Sequence, residues 1–261
     1  MGDRRFGRVN WLGLRTLVRR ELQRFLSVWT QTIIAPLVTA GLFLMIFSIA
    51  IGTRRGDVAG VPFTTFIAPG ILMMSVVQNA FANTSSSILI AKIQGNIVDT
   101  LMPPLSAGEL LVGYLSGAVG RGLLVAVSIA LGLALTLEIV PQHPVIFLGY
   151  VILGSILLGG LGMIAAIYAN KYDQMAAITN FVVTPLAFLS GTFYSVKSLP
   201  DTLAKVSSVN PVFYLIDGGR YGVIGVSDAP LALGFGVVGM VTLIVCAYAW
   251  YLLKTGYRLK A

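Results

Sequence analysis

Charge is scarce in this sequence. Its 261 residues include 18 Lys and Arg and 10 Asp and Glu, so 11% are charged, where soluble domains carry roughly one quarter. There is one cysteine, Cys246, and one histidine, His143. A lone cysteine excludes a disulfide within one chain, and the two together cannot assemble an ordinary structural zinc site. His143 sits in a Pro-flanked turn without an H-x-x-x-H partner and reads as a solvated loop residue. No G-x-x-x-x-G-K-[ST] phosphate loop occurs, since Gly218-Gly219-Arg220-Tyr221-Gly222 lacks the lysine and the following hydroxyl. No positioned nucleophile and base, and no carboxylate pair, point to other catalysis. The long apolar runs carry no acidic residue near their centres, which argues against an ion-coupled secondary transporter.

What the sequence has in abundance is apolar length. Hydrophobic residues make up 56% of it, and the mean hydropathy is +0.87. Its runs approach the roughly 20 residues a helix needs to cross about 30 Å of hydrocarbon, which favours helices over a barrel of short alternating strands. The expected fold is an all-α integral membrane protein in a single transmembrane domain over 1–261. The net charge of +8 would suggest nucleic acid in a soluble protein. Here the cations cluster at both ends beside apolar runs, so orientation and contact with anionic membrane lipids explain them, and no nucleic-acid partner is expected. The first long apolar run, from near Thr32, exceeds a signal-peptide core and lacks a cleavage pattern, so it is expected to be retained.

Over 10–28, Leu14, Leu17, Val18, Leu22, Phe25 and Leu26 recur at spacings near three and four. This predicts an amphipathic helix in the headgroup plane, with Trp11 and Trp29 as interfacial anchors. Six spans follow: Ile33 to Gly52, one from Phe63, Leu110 to Leu137 with Arg121 inside it, Val145 to Ala169, Met175 to Tyr194 with a kink at Pro185, and Leu231 to Leu253. Between the last two, 195–229 is cut into pieces too short to cross, which predicts a pair of short helices dipping into the outer leaflet. Six spans place both termini on one side. Counting Lys and Arg gives twelve on that side against five on the other, so both termini are expected in the cytoplasm.

The polar island 91–106, between the second and third spans, then also faces the cytoplasm. Gly95 and Pro103-Pro104 bracket a short helix whose Ile93, Ile97 and Leu101 are spaced to enter a partner's groove. Asp217 and Arg220, three apart, are expected to pair as ions. Gln78, Asn79 and Asn83 read as helix-packing glue or as lining of a path, and Arg121 as a snorkelling cation or as one that meets anionic headgroups. Gly113-Tyr114-Leu115-Ser116-Gly117 fits a close helix-helix approach.

Three stretches together resemble the membrane subunits of ABC-2 type exporters, the group that includes nodulation-factor, drug-resistance and polysaccharide permeases. They are Phe66-Ile67-Ala68-Pro69-Gly70-Ile71-Leu72, the island from Lys92 to Ser106, and Asn210-Pro211-Val212-Phe213-Tyr214-Leu215-Ile216-Asp217-Gly218-Gly219-Arg220-Tyr221-Gly222. The resemblance implies a homodimer in the bacterial inner membrane, working with a separately encoded ABC ATPase that carries the ATP and Mg. This chain itself would hold no cofactor and no metal. The resemblance further implies an ATPase-coupling role for Lys92, Gln94, Gly95, Asn96, Asp99, Pro103 and Pro104. It implies a re-entrant, path-forming role for Asn210, Pro211, Tyr214, Asp217, Arg220 and Tyr221. The expected cargo is amphipathic or lipid-linked: a glycan, a lipid or a drug. The alternative is a non-transporting scaffold that anchors a cytoplasmic partner; a passive channel is a third reading, for which no filter motif is present.

Overall fold

The computed structural model describes residues 9–52 and 56–259; Arg4, Arg5, Arg8, Arg54, Arg55 and Lys260, all used in the charge count, lie outside them. The described residues form helices, with one isolated bridge between Val58 and Val61. Five helices are long and apolar enough to cross a membrane: Thr30–Ile51, Phe63–Ile93, Ala107–Leu137, Pro144–Tyr168 and Leu231–Thr255.

In chain order, α1 (Trp11–Leu26) is the amphipathic helix, and α2 (Ala35–Phe47) is the regular part of the first span. α3 (Phe63–Ile93) is buried for most of its length and forms the centre of the bundle. α4 (Ile97–Leu101) lies within the island; α5 (Ala107–Leu137) and α6 (Pro144–Tyr168) follow and pack on α3. α7 (Tyr172–Ile178) and α8 (Thr184–Phe188) are short, α9 (Asp201–Val209) and α10 (Pro211–Ile224) form a hairpin, and α11 (Leu231–Thr255) closes the chain.

The fifth expected span, Met175 to Tyr194, does not form as one regular helix. α7, a π turn at Thr179–Val183 and α8 make a helical run ending at Phe188, after which the chain turns. Pro185 explains the break, because it lacks the N–H that a regular turn would use, and the widened turn before it makes room for its ring. The first span repeats the device, with a π turn at Thr30–Ile34 immediately ahead of α2 and Pro36 at its start.

Several helix ends share one face of the bundle. The backbone N–H of Asn10, ahead of α1, donates to Glu109 at the start of α5. Lys92 at the end of α3 reaches the end of α6, where Arg258, beyond α11, donates to the Tyr168 carbonyl at 3.4 Å. Asn10 and Arg258, near the two ends of the described chain, therefore lie at the same face. On the opposite face, the N–H groups of Gln142 and His143 donate to the carbonyls of Val223 and Gly222.

Candidate functional site

The island is shaped by its backbone. Gly95 turns the chain out of α3 at φ +73°, a left-handed conformation that glycine adopts without steric cost. After α4, Pro103 and Pro104 prevent further helix. Ser106 then caps α5, its hydroxyl accepting from the Glu109 N–H at 3.3 Å while the Glu109 carboxylate accepts from the Ser106 N–H. The second carboxylate oxygen of Glu109 accepts from the Asn10 N–H at 2.6 Å, so one side chain ties the start of α1 to the start of α5. The motif Ser106-x-x-Glu109 is the sequence signature of such a capping box.

α1 docks along α5. Leu17 packs where a side chain on Gly113 would stand, and a Cβ on Gly117 would come within 2.9 Å of the Glu21 Cβ. The Gly113-x-x-x-Gly117 pair is therefore the groove that receives α1. The docked stripe is Leu17, Glu21 and Phe25, spaced four apart.

The middle member of that stripe is a carboxylate with 0% exposure. Glu21 lies 3.0 Å from Arg20 and 3.4 Å from Arg24, and it accepts from the Ser87 hydroxyl at 2.8 Å. Arg20 donates onward to Thr100 Oγ1 of α4 at 2.7 Å and stacks over the Tyr114 ring. Burial pulls the Arg20 guanidinium's pKa down, but the neighbouring Tyr114 and Glu21 more than offset this and leave it above its ordinary value. Arg24 donates to the Asn83 carbonyl at 2.7 Å, to the Asn83 side-chain oxygen at 2.9 Å and to the Ser86 hydroxyl at 3.1 Å. A continuous polar chain thus runs from the island through α1 into α3. Asn83 Nδ2 and Arg121 Nε remain buried without a hydrogen-bond partner, with Arg121 close enough to Arg24 to feel its charge.

Of the island residues, Gln94, Gly95, Asn96, Asp99, Pro103 and Pro104 are exposed. The expected apolar stripe is corrected in part: Ile93 is exposed, but Ile97 is buried within the chain and Leu101 is half-buried against the core. Val98 and Met102, the last 76% exposed, stand outward beside Ile93. Ile97 is drawn inward because α4 lies against the bundle rather than standing clear of it. Lys92 also turns inward, donating to the carbonyls of Ala166, Ile167 and Ala169 at 3.1, 2.7 and 2.7 Å. These carbonyls lie at the end of α6, where groups without intrahelical partners attract a cation. Two clefts open between α1 and the island. One of about 520 Å³ is lined by Arg20, Arg24, Gln94, Asn96 and Asp99, and one of about 320 Å³ by Leu12, Thr16, Asp99 and Pro103.

The second expected group lies beyond the bundle's centre, in the α9–α10 hairpin. Asn210 forms its apex, capping α10 through the Val212 N–H at 3.0 Å and donating to the Leu186 carbonyl and Ser190 hydroxyl. Pro211 follows as the first residue of α10. The Tyr214 hydroxyl donates to the Ser208 carbonyl, and the Tyr221 ring stacks on His143 at 5.1 Å, so this histidine is exposed but not free of protein contact. Asp217 and Arg220 approach to 3.5 Å, both buried. Arg220 also lies 4.0 Å over the Phe66 ring and donates to the Gly191 carbonyl, while Asp217 accepts from the N–H groups of Asp228 and Ala229. Among the remaining expected residues, Gln78 and Asn79 are half-buried on α3, with Asn79 donating back to the Ser75 carbonyl.

The two groups are thus separate constellations joined by α3. Residues 13–224, which span both, match the family model described as ABC-2 type transporter. The chain belongs to the ABC-2 type transporter family. This ABC-2 permease is 37% identical over 256 residues to the inner membrane transport permease YadH of Escherichia coli (strain K12), covering 96% of this chain and 98% of that relative. It is 26% identical over 239 residues to nodulation protein J of Rhizobium leguminosarum bv. viciae, covering 89% of each. A nodulation protein J from Neorhizobium galegae matches at 24% over 232 residues, 87% of each. Membership makes the permease a transport membrane subunit rather than a catalytic enzyme, and implies an ABC ATPase partner in general terms. With its apolar helices it is a multi-pass protein of the cytoplasmic membrane.

The sequence reading missed Glu21, Arg24, Thr100 and Ser87 as members of the first constellation. The capping-box spacing at Ser106 and Glu109 was available to it, as was the fact that Glu21 sits between Leu17 and Phe25 on one helical stripe.

Proposed function

We propose that the permease is the membrane half of an ATP-driven exporter, working as a homodimer with two copies of a separate ATPase that binds ATP and Mg. In this reading the run Tyr172–Phe188 completes a sixth crossing, α9 and α10 re-enter the outer leaflet, and both termini lie in the cytoplasm. The cargo is amphipathic or lipid-linked, a glycan, lipid or drug, and moves outward.

The observation that carries the reading is the linkage of Thr100 in the island, through Arg20 and Glu21, to Ser87 in the most buried span. A push on the exposed residues Gln94, Asn96 and Asp99 reaches that span through groups in hydrogen-bond contact, without relying on loose loop. Nodulation protein J and YadH are relatives named for nodulation and for inner-membrane transport, which agrees with a cargo-moving role. The test is transport and ATP turnover by the co-purified complex in proteoliposomes carrying Gly95→Pro or Asp99→Lys. Reduced cargo movement per ATP is expected; unchanged transport removes the island from the mechanism. Turnover that no lipid, glycan or drug stimulates would favour the scaffold.

A further inference from the structure

Below the apex of the α9–α10 hairpin lies a cavity of about 560 Å³, within the range of roughly 300–1,000 Å³ typical of small-ligand pockets. Its floor is Val77 and Phe81 of α3 with Leu157 and Leu158 of α6, all buried. Its rim includes Val182, Leu186 and Val206, which are exposed.

Among the described residues no charged side chain lines this cavity, and its polar groups are already engaged. Asn210 uses its amide on Leu186, Ser190 and Val212, and the Ser207 hydroxyl donates to the Leu189 carbonyl at 3.3 Å. With Ser207 and Asn210 as the polar side chains of the lining, and both already bonded within the chain, a sugar, an ion or a lipid headgroup would lose most of its hydrogen bonds there. Water gains little in so apolar a space. A helix from a second copy could cover the rim. The floor residues come from the middle of Phe63–Ile93 and Pro144–Tyr168, two helices long and apolar enough to cross a membrane, which sets the rim at the depth of the hydrocarbon.

We infer that this cavity binds a single hydrocarbon chain of a lipid, taken sideways from the bilayer, with the headgroup remaining outside. The inference rests on the cavity alone and holds whether that lipid is cargo or a fixed companion of the fold.

The full-length permease in lipid nanodiscs tests it. The probes are phosphatidylcholine and phosphatidylglycerol, each with a photoreactive diazirine halfway along one acyl chain, and adducts are mapped by mass spectrometry. Adducts are expected on the segments 77–81, 157–165 and 206–212 with both headgroups. Filling the rim with Leu186→Trp, or independently with Val206→Trp, is expected to remove most of them, because the indole ring takes up the space the chain would occupy. Labelling of the exposed Leu243 on α11, away from the cavity, should stay unchanged, and thermal unfolding confirms that each variant is folded. Three outcomes overturn the proposal: adducts spread as densely over Leu243 as over the cavity, adducts that survive both tryptophans, or adducts that depend on the headgroup. Efficient disulfide formation between Val182→Cys copies that abolishes labelling would also overturn it, since the rim would then be a contact between protomers.

Discussion

The carboxylate of Glu21 accepts a 2.8 Å hydrogen bond from the hydroxyl of Ser87, 66 positions further along the chain, in a place that no solvent reaches. It is the only negative charge on α1, Trp11–Leu26, and it holds Arg20 and Arg24 by its two oxygens. Replacing it with alanine leaves two guanidiniums without their counter-charge and a buried hydroxyl without its acceptor. Because both arginines are partly exposed, the cost should fall near the low end for a broken buried pair, about 3 kcal/mol. Glu21→Gln keeps an acceptor for Ser87 and should cost about half as much. Thermal unfolding in detergent measures both. A double-mutant cycle between Glu21→Ala and Ser87→Ala, each of which removes the contact, should give a coupling of about 1 kcal/mol, and additive effects would mean that the two residues do not communicate.

Gly95 offers a sharper separation of stability from function. A Cβ there would touch nothing within 4 Å, so alanine meets only the backbone penalty of a left-handed residue, about 1 kcal/mol. Proline, fixed near φ −65°, is incompatible with the observed +73°. The expected result is a graded loss of transport from glycine to alanine to proline in the ATPase complex, with little change in the melting of the transmembrane bundle. Equal losses of melting temperature and transport would show instead that the turn stabilises the bundle as a whole.

The apolar runs made the spans legible, because a helix that faces lipid on one side and protein on the other needs no polar pattern. The ion pair of Asp217 and Arg220 was legible from spacing alone. What could not be read was which residues turn inward. Lys92 looked like a surface charge until the unpartnered carbonyls at the end of α6 came beside it. Ile97 and Val98 are interchangeable as sequence, and only the packing of α4 decides that the first is buried and the second exposed. Glu21 broke the apolar stripe of α1, and an acidic residue in that position is meaningful only once Ser87 is known to face it. The widened turns ahead of Pro36 and Pro185 follow from a proline's missing donor, but the sequence did not say that the second would leave so short a run.

The α1 groove makes a prediction about docking. A branched side chain at Gly117 would collide with Glu21 and with Asn83, whose amide nitrogen would lie 2.8 Å from the new Cβ. Gly117→Val should therefore lift α1 from α5, while Gly108→Val, on the same helix with open space around it, should not. A cysteine placed at buried Leu17 reports the difference. It should react with a water-soluble maleimide several-fold faster in the Gly117→Val background, and unchanged reactivity would mean that α1 is held by other contacts.

Arg220 acts through its shape as well as its charge. Its guanidinium meets three different partners at once: the Asp217 carboxylate, the Gly191 carbonyl and the face of Phe66. Lysine keeps the charge but has no planar fork, so it cannot stack on Phe66 and still reach both oxygens. Arg220→Lys should then cost about 2 kcal/mol or more, even though the net charge is conserved. Removing the charge with Arg220→Met should cost more, because Asp217 would be left buried with only the N–H groups of Asp228 and Ala229. Pairing that change with Asp217→Asn removes the stranded carboxylate and should recover part of the loss, since replacing a buried ion pair is cheaper than breaking it. Protease nicking within 195–229 would follow the same order as the melting temperatures if this pair fixes the hairpin. A lysine variant as stable as the parent would show that charge alone suffices and that the ring of Phe66 contributes nothing.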